Sequence, residues 1–368
     1  MNTFFCRAFQ CCFAVGARFL PWRTPEVFSG EGSLLRAADI LRENGLRRPF
    51  VIASRRQCAD EHFRALQEKL DEQDILLSIF SSVEPNPSVE TVEKIAAQYK
   101  IDSCDCFLVI GGGSPMDAAK AAAARLARPE TTIAAVVTGS DHHKYAISDL
   151  CLIPRYAILD PALTVGLPPH ITAETGMDAL THAVEAYLSR FYNTKQTRLL
   201  AENAVVTIFT HLERAYRDGA SLPDRAAMLQ ASFDAGAAFT RASVGNVHAI
   251  AHTLGGLYGV PHGLANAVLL PLVLEDYGKA AYPRLARLAA LVGLKGESEE
   301  SLAKAFIAEI RAMNTRMGIP DRFNCIREED IPLMATWAAQ EANPVYPVPV
   351  IYDEARFARV IERSHHSQ

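Results

Sequence analysis

Asp178 and His182 stand four residues apart, and His248 and His252 repeat that interval with two imidazoles. Residues four apart on an α-helix lie one above the other on a single face. Ten residues after His252 comes Pro261-His262-Gly263, a turn that can present another histidine. Imidazole and carboxylate donors in such a set suit a divalent transition metal such as Fe(II), Zn or Co. A lone histidine on an apolar helix is more often a hydrogen-bonded core residue, so no single pair decides the matter. Here the neighbours Met177, Leu180, Val247 and Ile250 are apolar, and no comparable set of nearby charges is visible to offer partners. Buried ionisable groups need partners, and a metal supplies them.

A second group of residues suits phosphate chemistry. Gly111-Gly112-Gly113-Ser114-Pro115-Met116-Asp117 follows an apolar run and opens an Ala-rich stretch that contains Lys120. Three glycines allow close backbone approach, and the N–H groups at a helix start can receive a pyrophosphate. Ser114 is expected to cap this helix, with Pro115 in its first position and Asp117 completing a capping-box-like pair. The loop is not the G-x-G-x-x-G fingerprint. Another run, Val51-Ile52-Ala53, ends in Ser54-Arg55-Arg56, where many NAD-specific sites carry an acidic residue. Guanidinium groups there fit the 2′-phosphate of NADP, and fit a solvated basic turn equally well.

The elements that must position these residues change character midway. Residues 49–53, 75–80 and 106–110 read as strands, with helices over 61–70 and 90–99 between them. This alternation implies a mostly parallel sheet covered by helices. Beyond about residue 172 the chain is rich in Ala, Leu, Glu and Arg, with helices expected over 196–217 and 224–241. The reading is therefore an α/β domain over residues 1–169 followed by an all-helical domain over 170–368. A chain of 368 residues suits two domains.

Composition narrows the partners. A net charge of −5 argues against nucleic acid, and no apolar stretch suits a bilayer. Phe4, Phe5, Phe9 and Phe13 recur at a roughly helical spacing, with Arg7 and Arg18 nearby and no small-residue cleavage site. That fits a helix packed on the body or on a second subunit, not a signal peptide. The eight cysteines form no metal or disulfide pattern, so reduced thiols and a cytoplasmic location are expected.

These residues resemble the iron-containing alcohol dehydrogenase family. Gly111 to Lys120 is similar to its GGGSxxDxxK segment, and Thr175 to Glu185 resembles its first metal signature. His248 to Gly263, with H-x-x-x-H-x-x-G and a closing P-H-G, resembles the second. The resemblance runs from Val27-Phe28 to the carboxyl end with one gap. It implies a Rossmann-like, dehydroquinate-synthase-like nucleotide domain and a helical metal-binding domain. By motif position Asp178, His182, His248 and His262 fall on the metal ligands, and His252 on the histidine of proton transfer. Ser54 joins Asn86, Gly112, Gly113, Ser114, Lys120 and Lys144 as cofactor-contacting positions. The resemblance implies Fe(II), with Zn as the alternative, together with NAD or NADP, a small alcohol or aldehyde substrate, and a homodimer.

One departure stands out. Family members carry a strand and a P-T-T-x-G-T-G-S-E loop where Arg128-Pro129-Glu130 runs directly into Thr131, so the nucleotide domain reads as shortened at about 128–131. The rival expectations are a zinc polyol dehydrogenase of the glycerol type, a dehydroquinate-synthase-like lyase, and a metal-binding protein without turnover. The P-H-G and the four-ligand set favour the iron-containing branch over the first two. A missing cofactor loop motivates the third.

Overall fold

The computed structural model describes residues 2–84, 87–127 and 152–365, and the backbone of 137–138 and 144–145. The chain forms two units, Pro21–Leu163 and the combination of Met1–Leu20 with Thr164–Gln368.

Helix α1 (Thr3–Gly16) starts at Asn2, whose side chain accepts from Phe4 N–H at 2.9 Å. Sequence had placed it within the first domain's 1–169, but it packs with the helical unit. Gln10 is fully buried and donates to the carbonyls of Pro344 and Tyr346, while Arg7 donates to that of Pro349. Those long-range bonds fix where the helix lies, and no local spacing encodes them.

The unit 21–163 contains β1 (Glu26–Ser29), α2 (Arg36–Glu43), β2 (Pro49–Ala53), α3 (Arg55–Cys58), α4 (Glu61–Asp71) and β3 (Ser78–Phe80). It continues with α5 (Val89–Ile101), β4 (Cys106–Ile110), α6 (Gly113–Ala127), β5 (Val137–Thr138), β6 (Lys144–Tyr145) and β7 (Tyr156–Leu159). Strands pair in parallel in the order β3-β2-β4, β1 pairs in parallel with β7, and β5 pairs antiparallel with β6. Successive residues of a strand face opposite sides. Val51 and Ala53 accordingly join Phe63, Leu66 and Leu70 in one core, whereas Phe50 and Ile52 join Val92, Ile95 and Ala118 in the other. Burial on both faces is what a parallel sheet covered by helices requires.

Strand β3 begins at Ser78 and not at Ile75. Asp74 takes a left-handed φ of +55°, and Ile75 N–H then closes the end of α4 on the Leu70 carbonyl. Ile75 is spent on capping a helix and filling the core before pairing with β2 begins.

The helical unit holds α7 (Pro169–Leu188), α8 (Lys195–Arg217), α9 (Leu222–Ala242), α10 (Asn246–Tyr258) and α11 (His262–Tyr277). It closes with α12 (Tyr282–Leu291), α13 (Glu299–Arg316), α14 (Ile331–Ala342) and α15 (Glu354–Arg363). Helix α7 is buried over most of its length, against α8, α9 and α11. Glycines permit that density. A Cβ on Gly176 would lie 2.2 Å from Leu212 of α8, and one on Gly263 would lie 2.5 Å from the Glu174 carbonyl of α7. Gly263 therefore lets the start of α11 rest on the backbone of α7. Among the described residues no helix is long and apolar enough to cross a membrane.

Candidate metal centre

Three helices deliver the histidines and the aspartate to one place. Helix α7 carries Asp178 and His182, α10 carries His248 and His252, and α11 opens with His262. One donor atom from each of Asp178, His182, His248 and His262 lies within 4.8 Å of the others. Asp178 Oδ2 is 3.7 Å from His182 Nε2, and Asp178 Oδ1 is 3.6 Å from His262 Nε2 and 4.0 Å from His248 Nε2. Bonds of about 2.1 Å in a tetrahedron separate donors by about 3.4 Å, so this spacing suits a first-row divalent ion after small adjustments. The chemistry of the set, one carboxylate and three imidazoles, suits the same ion.

The surroundings hold each donor. His182 stacks on Phe239 with centroids 4.2 Å apart, and its Nδ1 is buried with no hydrogen-bond partner among the described residues. His248, only 2% exposed, has its Nδ1 2.6 Å from Glu185 Oε2. Glu185 also accepts from Gly245 N–H on Oε2 and Val247 N–H on Oε1, each at 2.8 Å. It lies three residues beyond His182 on the same face of α7 and anchors the start of α10. A Cβ on Gly245 would lie 2.7 Å from Glu185 Oε1, which is why a glycine precedes α10. Asn266, four residues beyond His262, repeats the interval of the other pairs and places Nδ2 2.6 Å from Asp178 Oδ1.

His252 stands beside the four and not among them. Its ring is stacked parallel to His262 with centroids 5.3 Å apart, and its Nδ1 is 2.7 Å from Glu341 Oε1. That oxygen also accepts from the Tyr346 hydroxyl at 2.6 Å. Sequence reasoning missed Glu185, Asn266 and Glu341 as parts of the site. The first two were findable, because each shares a helix face with a proposed ligand. Glu341 was not, since it is 89 residues from His252 with no local pattern linking them.

Electrostatics favour donors that are ready to bind. Burial pushes the His182 and His248 imidazoles below their ordinary 6.5. Burial raises the Asp178 carboxyl, but His262, His182 and Asn266 outweigh it and hold the group below its ordinary value. Burial also raises the Glu185 carboxyl, against the N–H groups of Val247 and Gly245. A proton on His248 Nδ1 directed at Glu185 Oε2 would leave Nε2 its lone pair. Protons compete with metal for imidazole, and depressed pKa values postpone that competition. Proton competition at His182 and His248 is therefore expected only below their ordinary 6.5, so metal affinity should change little as pH falls from about 8 to about 7. Chelator competition across this range checks it, and a steady decline starting above about pH 7 would contradict it.

The phosphate-type residues gather elsewhere, in the unit 21–163. Ala53 pairs with Ile110, so Ser54 and Gly111 leave the carboxyl ends of β2 and β4 side by side. Gly111 has a φ of +153°, and a Cβ there would lie 3.0 Å from Pro115 and 3.3 Å from Gln57 Oε1. Helix α6 already begins at Gly113, with Gly112 O accepting from Met116 N–H, so Ser114 lies inside the first turn. Glycine flexibility lets the helix start earlier than the serine suggested. Ser54 caps α3 in a reciprocal pair with Gln57, and Arg55 and Arg56 are exposed beside it. Lys120 is exposed on α6. Asn86, the side chain of Lys144 and the segment at 128–131 lie outside the described residues.

Residues 24–133 match the family model "Iron-containing alcohol dehydrogenase", and residues 172–356 match "Fe-containing alcohol dehydrogenase family, C-terminal". The chain is 37% identical over 310 residues to the 1,3-propanediol dehydrogenase of Klebsiella pneumoniae, covering 74% of this chain and 80% of that protein. It is 33% identical over 360 residues to alcohol dehydrogenase 4 of Saccharomyces cerevisiae, covering 87% and 93%. A solved 1,3-propanediol oxidoreductase superposes with a TM-score of 0.87 at 30% identity, over 94% of this chain and all of that one (100%).

Proposed function

The chain belongs to the iron-containing alcohol dehydrogenase family, and from that membership we propose that it interconverts a small primary alcohol and its aldehyde with a nicotinamide cofactor. The observation that carries this reading is the convergence of Asp178, His182, His248 and His262 within 4.8 Å. These four would hold a divalent ion, Fe(II) with Zn as the alternative. The metal, when bound, supplies Lewis-acid polarisation of the substrate oxygen, and the nicotinamide supplies the hydride chemistry.

The chain's own residues divide the remaining work. Glu185 fixes the ring of His248 and keeps its proton on Nδ1, leaving Nε2 free to ligate. His252 takes the alcohol proton. Its Nδ1–H bond to Glu341 leaves the lone pair on Nε2, as a general base requires. For the cofactor we assign Ser54, Gly112, Gly113, Ser114 and Lys120, with Asn86 and Lys144. Support comes from Ser54 and the glycine loop emerging together at the carboxyl ends of parallel strands, where α/β sheets bind ligands. The exposed Arg55 and Arg56 suit NADP, while NAD needs only the loop.

Anaerobic purification, metal analysis, and reduction of short aldehydes with NADH and NADPH in parallel test the reading. Stoichiometric metal and turnover with one of the cofactors are expected. The His252→Ala protein should keep its metal and lose about 100- to 10,000-fold in turnover. Metal without cofactor binding or turnover would leave a metal-binding protein and overturn the proposal. Loss of metal in the His252→Ala protein would remove the division between ligands and proton carrier.

A further inference from the structure

Asn266 is fully buried on α11 between Ala265 and Ala267, a position where filling space would call for an apolar residue. Its Nδ2 lies 2.6 Å from Asp178 Oδ1, 3.0 Å from His262 Nε2 and 3.2 Å from His248 Nε2. Its Oδ1 is buried with no hydrogen-bond partner among the described residues. An amide left half-satisfied in an apolar interior is costly, so the nitrogen side must matter to the site.

Counting hydrogens and lone pairs shows how. The amide nitrogen carries two hydrogens and faces three acceptors. A neutral imidazole Nε2 has a single lone pair, and a ligand bond uses it. A carboxylate oxygen keeps a second lone pair after ligating, so Asp178 can bind an ion and accept from Asn266 together. The shortest of the three contacts is the one compatible with ligation. Asn266 and His262 share one face of α11, so the amide ties the α7 carboxylate to the helix that presents His262.

We infer that Asn266 is a positioning residue of the metal centre, which donates Nδ2–H to Asp178 Oδ1 and thereby sets the orientation of the carboxylate among the three imidazoles. This rests on the reading of Asp178, His182, His248 and His262 as ligands. It deepens that reading by adding a residue whose contribution is orientation and not coordination.

Asn266→Leu keeps the number of side-chain heavy atoms and removes the donor, and Asn266→Ala removes both. For each, affinity for Zn(II) and Co(II) is measured by competition with a chromophoric chelator, and the visible absorption of the Co(II) form reports donor geometry. Both proteins are expected to bind metal about 10- to 100-fold more weakly, with shifted Co(II) bands and unchanged far-ultraviolet dichroism. An Asn266→Leu protein with the parent's affinity and Co(II) spectrum would reduce the residue to space filling and overturn the inference. Should Asn266→Leu fail to fold, a folded Asn266→Ala protein with the parent's affinity and spectrum overturns it in the same way. A parent protein that binds neither ion would instead remove the ligand reading on which the inference rests.

Discussion

The His248→Ala protein is expected to lose its metal and with it turnover by roughly 1,000-fold or more, since Lewis acidity contributes several kcal/mol at about 1.4 kcal/mol per tenfold. His248 is the most buried of the four proposed ligands, at 2% exposure, and it joins two parts of the site. Nε2 faces Asp178, while Nδ1 meets Glu185. Truncation removes a donor and also deprives the buried Glu185 carboxyl of its imidazole partner. Neither loss is easily repaired, because α7, α10 and α11 are packed into one core around the site. Metal analysis with steady-state kinetics checks the outcome. Retained metal and a modest loss of rate would exclude His248 from the ligand set.

The legibility of the four proposed ligands in the sequence has a physical basis. Asp178 with His182, and His248 with His252, share helix faces, so a spacing in the chain becomes a proximity in space. The α/β half was legible for a similar reason, because strand 49–53 is buried on both faces and reads as an unbroken apolar run. What stayed hidden depends on bonds between distant segments. Gln10 reaching the carbonyls of Pro344 and Tyr346 decides the place of the first helix, and Glu341 meeting His252 decides the orientation of that ring. Neither has a local signature.

Glu185→Gln is the more discriminating change at the site, because it preserves shape and alters only where protons go. The native carboxylate accepts on both oxygens, from Val247 N–H on one and from Gly245 N–H and His248 Nδ1 on the other. A glutamine must set its NH2 group against one side of this ring of donors. If the NH2 faces Val247, two N–H groups oppose each other in the interior. If it faces His248, the imidazole must accept at Nδ1, which moves its proton to Nε2 and blocks the lone pair that ligates. Both arrangements weaken the centre, and a loss of about 10- to 100-fold in metal affinity is expected for Glu185→Gln. Glu185→Ala leaves all three donors buried without an acceptor, and it should also cost the metal-free fold roughly 3 kcal/mol or more. Metal titration and denaturant unfolding of both proteins separate the two effects. A Glu185→Gln protein with unchanged affinity would show that the tautomer of His248 is set by other groups. A weakened centre on an intact fold would instead identify the buried Glu185 carboxylate of α7 as the group that keeps His248 ready to bind.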